Sequence, residues 1–246
     1  MRQVAMADES LTQTQKALLG LRQRILSGAL PGGTRLYEVA LAEDLKISRT
    51  PIRAALSRLA EEGLLERGAG AGFVVRSFAL SDVVDTIDLR GVLEGTAARY
   101  AAERGASPDA LAQARTTLRE IDLVLAGPSI NMEAYARLNT AFHVQLAAMA
   151  QSATLQRELD RITALPFAAP SAFLEDHDRL DTLQRTLIVA QAQHCAILDA
   201  ITARESGRAE ALAREHARAA RRNVEFLLSD EGSRREGIAS LALVAD

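Results

Sequence analysis

Tryptophan is missing from this 246-residue chain, and cysteine, lysine and histidine are nearly so. The single cysteine, Cys195, excludes an intramolecular disulfide framework and fits a reducing compartment. Only two lysines occur, Lys16 and Lys46, so arginine supplies nearly all of the positive charge. No uninterrupted apolar run reaches the roughly 18–20 residues that a membrane span needs. The N-terminal stretch MRQVAMADESLTQTQ lacks the continuous apolar core of a secretory signal. The expectation is a cytoplasmic chain with no membrane segment.

What is present suits a chain that buries a core, with 48% apolar and 25% charged residues. The net charge of −3 is unevenly spread. Residues 1–78 hold eleven Lys/Arg against eight Asp/Glu, which leaves 18 against 24 for the remainder. A mildly basic head on an acidic body directs any nucleic-acid contact to the head.

Two textures follow one another. Residues 1–78 show short helical patterns, a glycine-rich break and a β-flavoured ending, GLLERGAGAGFVVRSF. From Ser81 on, the pattern is long amphipathic helix after helix, with Ser81 as N-cap and a stop at Arg104 before Gly105. Further helices are expected over about 108–126, 131–151, 154–164, 175–205 and 207–229, with Pro166 and Pro170 interrupting. The end, DEGSRREGIASLALVAD, is weakly patterned and reads as a loose tail. The division expected is therefore a head over 1–78, an all-helical body over 79–230 and a tail over 231–246. The fold class is mostly α.

The stretch KISRTPIRAAL, residues 46–56, sets a proline between two arginines where a helix begins. With Ser48 as N-cap, Pro51 falls in the first turn, where the amide it lacks has no intrahelical partner. Ile52, Ala55, Leu56 and Leu59 then form one apolar stripe, and Arg49, Arg53 and Ser57 lie on a different face with Thr50 beside them. A guanidinium can pair with O6 and N7 of guanine, and the helix N-terminus favours a phosphate. Taken alone, the same helix could be a surface helix with solvated arginines. Two strand-like pieces, LLER and FVVRS, flank the nearly side-chain-free GAGAG and read as a two-stranded wing.

Residues 31–75, above all SRTPIRAALSRLAEEGLL, resemble the winged helix-turn-helix of GntR-type bacterial transcription regulators. The resemblance implies DNA contacts from Arg35, Ser48, Arg49, Thr50 and Arg53, with Gly72 of the wing in or beside the minor groove. The all-helical body resembles the FCD-type effector domain of the FadR-like branch.

All four histidines lie in the body. Asn139 and His143 share one helix face, and His194 and His216 sit on two later helices. Three imidazoles from three helices can converge on a metal, or be ordinary half-buried core residues; spacings of 51 and 22 residues decide neither. Many FadR-like effector domains bind a divalent metal through a carboxylate and three histidines. By that resemblance His143, His194 and His216 would hold a metal such as zinc, with Asn139 standing where a carboxylate is usual. Arg90 matches an arginine that often faces the effector cavity, where it would clamp a carboxylate; Glu94 at i+4 offers it a plain intrahelical pair instead. Cys195 reads as a small core residue and His177 as a solvated one. The segments DLRGVLEGTAARYAAERG, LNTAFH and LPFAAPSAF are similar to the vanillate-responsive repressors of this branch, which implies an aromatic acid near Phe142, Phe167 or Phe173.

Together these features predict a homodimeric repressor that reads a palindromic double-stranded operator under control of a small carboxylate held by Arg90, Asn139, His143, His194 and His216. Two rivals stand beside it. A three-histidine metal enzyme would need a nucleophile–base pair or a glutamate beside the histidines, and none is evident. An effector-free architectural DNA binder would need no cavity.

Overall fold

The computed structural model describes residues 11–68, 72–127, 129–165, 167–172, 180–229 and 243–244. They fall into two compact units, the first ending at Leu80 and taking in 243–244, the second beginning at Ser81.

In the first unit, α1 (Gln13–Leu26) starts from a capping box: Thr12 Oγ1 accepts from the Gln15 amide, and the Gln15 side chain accepts from the Thr12 amide. It buries Ala17, Leu21 and Ile25, and packs on α3. Next come β1 (Arg35–Leu36), α2 (Glu38–Leu45) and α3 (Arg49–Glu61). Lys46 ends α2 in the left-handed conformation, φ 54°. Pro51 is the third residue of α3, as expected, and Ile52, Ala55, Leu56 and Leu59 are fully buried. Ser48 occupies the N-cap position with extended backbone, but its side chain makes no capping bond.

The wing has three strands where two were expected. Strands β2 (Leu65–Arg67) and β3 (Phe73–Val75) pair antiparallel, and β1 adds to the other side of β3 in the order β1-β3-β2. Gly72 has φ +148°, and a Cβ there would lie 3.1 Å from the Leu36 carbonyl, so the wing's own packing calls for glycine. The chain end is a second departure. Leu243 is buried, its carbonyl accepts from the Phe78 amide at 2.9 Å, and Val244 forms a parallel bridge with Phe78. The expected loose tail thus contributes an ordered pair to the first unit; its other residues lie outside the described ones.

The second unit contains α4 (Leu80–Arg104), α5 (Pro108–Leu125), α6 (Met132–Met149), α7 (Ala153–Thr163), α8 (Leu180–Thr202) and α9 (Ser206–Ser229). Helix α4 begins at Leu80, so Ser81 lies inside its first turn and is not the cap. It stops before Gly105, φ +85°. Ser107, Asn131 and Ser152 cap the next three helices with side-chain acceptors. Helices α5, α6, α8 and α9 enclose a core that includes Leu118, Ile121, Leu138, Phe142, Leu146 and Ile197. Burying each such side chain stabilises by about 1.5–3 kcal/mol. Helix α4 approaches α9 closely at two glycines: a Cβ on Gly91 would lie 2.6 Å from Ala217 Cβ, and one on Gly95 2.8 Å from Arg214 Cγ. Among the described residues no helix is long and apolar enough to cross a membrane.

Candidate functional site

Two sites emerge, one in each unit. In the first unit, a groove of about 410 Å³ runs between α2, α3 and the wing. Arg49, Arg53, Ser57 and Gly72 line it together. Arg35, Ser48 and Thr50 are exposed but outside its lining. The sequence reading missed Tyr37, Glu38 and Arg67, which also line it. Glu38 is the one with consequences, because its carboxylate accepts from Arg53 Nε at 2.7 Å and Nη2 at 2.8 Å. Arg53 lowers the Glu38 pKa and is itself raised in return. The signal was the position of Glu38 in the first turn of α2, but its partner lies on the next helix.

In the second unit, α6 presents Asn139 and His143 one turn apart, α8 presents His194, and α9 presents His216. The three imidazoles are buried, and their ligand nitrogens lie within 4.8 Å of one another. Each ring has an outer acceptor on its Nδ1 side. His143 Nδ1 meets Glu94 Oε1 at 2.9 Å, and His216 Nδ1 meets Gln193 Oε1 at 3.0 Å. His194 Nδ1 meets Gln191 Oε1 at 3.4 Å, and Gln191 is oriented by donating to the Leu118 carbonyl and Asp122 Oδ1.

A ring that donates from Nδ1 to its acceptor turns the Nε2 lone pair inward. His194 Nε2 and His216 Nε2 then face each other at 3.1 Å, a separation that needs a hydrogen or a cation between them. His143 Nε2 is buried without a hydrogen-bond partner. Burial and the neighbouring histidine charges push the His194 pKa well down, and burial and His143 push that of His216 down to about 3. Burial thus favours the neutral form of His194 and His216, and all three rings have an outer acceptor, an arrangement that fits a divalent cation.

Burial pushes the Glu94 carboxyl up, but the charges of His143 and Arg90 outweigh it and hold it down to about 2. The sequence reading saw no catalytic glutamate beside the histidines and allowed Glu94 an intrahelical pair with Arg90; the structure has that i,i+4 pair at 3.7 Å, buried rather than exposed, with Glu94 also on His143. Arg90 Nη1 donates to the Ala168 carbonyl at 2.7 Å, and its Nε lies 3.7 Å from Glu94 and has no hydrogen-bond partner. The burial stripe of α4 runs through Ile87, Arg90, Gly91, Glu94, Ala97 and Ala98, and that helical spacing was the legible signal.

Arg90, Asn139 and His216 line a cavity of about 330 Å³ together with Tyr135 and Gln193. The Asn139 amide donates to the Pro170 carbonyl at 3.2 Å and to Ser171 Oγ at 3.1 Å. Phe142 and Phe167 are fully buried and do not line this cavity; Phe142 packs on the His194 ring at 4.6 Å. Phe173 and His177 lie outside the described residues. Cys195 is half-buried against the core.

A winged helix-turn-helix with an arginine-lined groove, followed by an all-helical unit whose cavity holds an arginine, an asparagine and a histidine, defines a DNA-binding transcription regulator. The profile described as "Bacterial regulatory proteins, gntR family" matches residues 13–75, and that of the FCD domain matches residues 85–219. The chain belongs to the GntR family of bacterial regulatory proteins and carries an FCD domain. It is 36% identical over 131 residues to the "Nta operon transcriptional regulator" of Aminobacter aminovorans, an alignment spanning 53% of this chain and only 60% of that protein. It is 30% identical over 191 residues to the "Probable D-xylose utilization operon transcriptional repressor" of Paenarthrobacter nicotinovorans, spanning 76% of this chain and 77% of that one. Among solved structures, E. coli McbR/YncC matches with TM-score 0.65 and 20% identity over 89% of this chain and 100% of that one, a likeness of fold. The family is one of regulators, so the enzyme reading falls.

Proposed function

We propose that this regulator is a homodimeric repressor of a palindromic operator, controlled by a small carboxylate bound in the 330 Å³ cavity of the helical unit. The observation that carries the reading is Arg90, a buried guanidinium that lines the cavity with Asn139 and His216 and whose Nε has only the 3.7 Å ion pair with Glu94 and no hydrogen bond. A guanidinium so placed favours an anionic guest with two parallel oxygens. His143, His194 and His216 would hold a divalent cation, zinc by donor type, with Asn139 as a weaker oxygen donor. When bound, the cation supplies a second positive anchor for the carboxylate. Tyr135 is the ring that an aromatic acid would meet in this cavity.

In the first unit, Arg49 and Arg53 would reach base edges, while Arg35, Ser48, Thr50 and the wing at Gly72 would hold the backbone. Two such units related by two-fold symmetry suit a palindrome.

The test is a thermal-shift series on metal-free and zinc-loaded full-length protein, against aliphatic and aromatic small carboxylates. A ligand at about 100 times its dissociation constant stabilises by about 2.7 kcal/mol. Arg90→Lys keeps the charge beside Glu94 but not the planar fork, so it should weaken such a hit at least about tenfold while remaining folded. Silence from every carboxylate in both metal states would sink the reading.

A further inference from the structure

Of the three arginines that line the first unit's groove, the two on α3, Arg49 and Arg53, share one carboxylate. Glu38 Oε1 accepts from Arg53 Nε at 2.7 Å and Oε2 from Arg53 Nη2 at 2.8 Å, a parallel two-point fork. The same Oε2 lies 3.5 Å from Arg49 Nη2. The Glu38 side chain is 19% exposed and that of Arg53 62%, so the carboxylate is tucked beneath a guanidinium that stands out from it.

A guanidinium has five N–H donors in a rigid plane. Glu38 occupies the edge formed by Nε and one hydrogen of Nη2, which leaves the edge formed by Nη1 and Nη2. That remaining edge is a second two-point face of the size that fits O6 and N7 of guanine. A side chain already held in one rotamer loses less freedom on docking than a solvated one. The carboxylate also subtracts a positive charge from the groove, which weakens attraction to phosphate whatever the sequence.

Resting on the assignment of α3 as the helix that reads DNA, we propose that Glu38 is a specificity-determining positioning residue. It holds Arg53 for a single guanine and lowers affinity for all other DNA. The chemistry requires no contact between Glu38 and the bases.

The experiment selects preferred duplexes from random-sequence DNA with the full-length protein, then measures affinity for each single-base-pair variant at several salt concentrations. Arg53→Ala should flatten the preference at one guanine. Glu38→Gln, which keeps size but cannot accept the fork with a charge, should lose about tenfold of discrimination at that same base pair. Its affinity for random DNA should rise, and its salt dependence steepen by about one charge. The double variant should discriminate no worse there than Arg53→Ala alone, and Glu38→Ala with an unchanged melting temperature guards against a folding artefact. The proposal is overturned if Glu38→Gln leaves the Arg53 position untouched. It is equally overturned if the variant alters a different base pair, because Glu38 would then read DNA itself. If Arg53→Ala and Arg49→Ala change neither motif nor affinity, the recognition-helix assignment itself has failed and the proposal with it.

Discussion

Asn139 is the residue at which the helical unit departs from a carboxylate-and-histidine site, and its hydrogen bonds give the departure a second role. Its amide donates to the Pro170 carbonyl and to Ser171 Oγ, and Ser171 Oγ donates on to the Ala136 carbonyl, which fastens that segment to α6. A carboxylate cannot make those donations. Asn139→Asp should therefore destabilise the metal-free protein by about 1–3 kcal/mol, the usual effect of stripping a buried acceptor of its donor. The same change should tighten zinc binding by about tenfold or more, because a charged oxygen is the better ligand for a divalent cation. Melting curves with chelator and with zinc, together with a competition titration, check both signs. A lower melting temperature without any gain in zinc affinity would remove Asn139 from the set of ligands. The histidines themselves were legible, since residue type and helix assignment already placed one on each of three helices. Glu94 and Gln193 were not, because an outer acceptor is defined by the ring it faces, and those rings lie 49 and 23 residues away; Gln191 precedes His194 by only three residues, but that spacing alone does not say that the two side chains meet.

At the scale of elements, the glycines of α4 separate packing from propensity. Gly91 lies inside a helix, so alanine there gains up to about 1 kcal/mol of helix preference. Its Cβ would come within 2.6 Å of Ala217 Cβ, an atom fixed to the α9 backbone that cannot swing away. Overpacking of this kind costs about 1–3 kcal/mol. Gly91→Ala should be a net destabilisation, read as a melting temperature lower by a few degrees. Gly20 of α1 supplies the opposite case, since nothing lies within 4 Å of a Cβ built there. Gly20→Ala should stabilise by about 0.5–1 kcal/mol. If Gly91→Ala raises the melting temperature as Gly20→Ala should, α4 and α9 are not held at the spacing found. Long helices were readable from their apolar periodicity, because that signal is local. The start of α3 was readable for the same reason: Pro51 fixes its own φ wherever the chain goes next and suits a first turn. Strand β1 was not, since two residues carry no period and Arg35–Leu36 is a strand only by virtue of Phe73 and Val74 opposite it. The pairing of Val244 with Phe78 escaped in the same way, across most of the chain length.

At the scale of the whole molecule, the division into a DNA-reading head and a helical body was visible in composition and in helix length. The coupling between them was not, because it is a difference between two states and a sequence pattern reports neither. Linkage nevertheless constrains it. If the effector weakens operator binding by some factor, the operator must weaken effector binding by the same factor, and factors of about 5–150 are usual, or 1–3 kcal/mol. An effector that binds both states equally shifts nothing, however tightly it binds. The decisive experiment takes the operator selected from random DNA and the carboxylate found by thermal shift. Effector affinity is titrated calorimetrically with and without saturating operator, and operator affinity by anisotropy with and without saturating effector, all at one salt concentration. The two ratios should agree and both should exceed about fivefold. For a repressor released by its effector each ligand lowers the affinity of the other; for a co-repressor each raises it. Ratios of one in both titrations would leave the cavity ligand a stabiliser of the helical unit and remove it from any part in regulation.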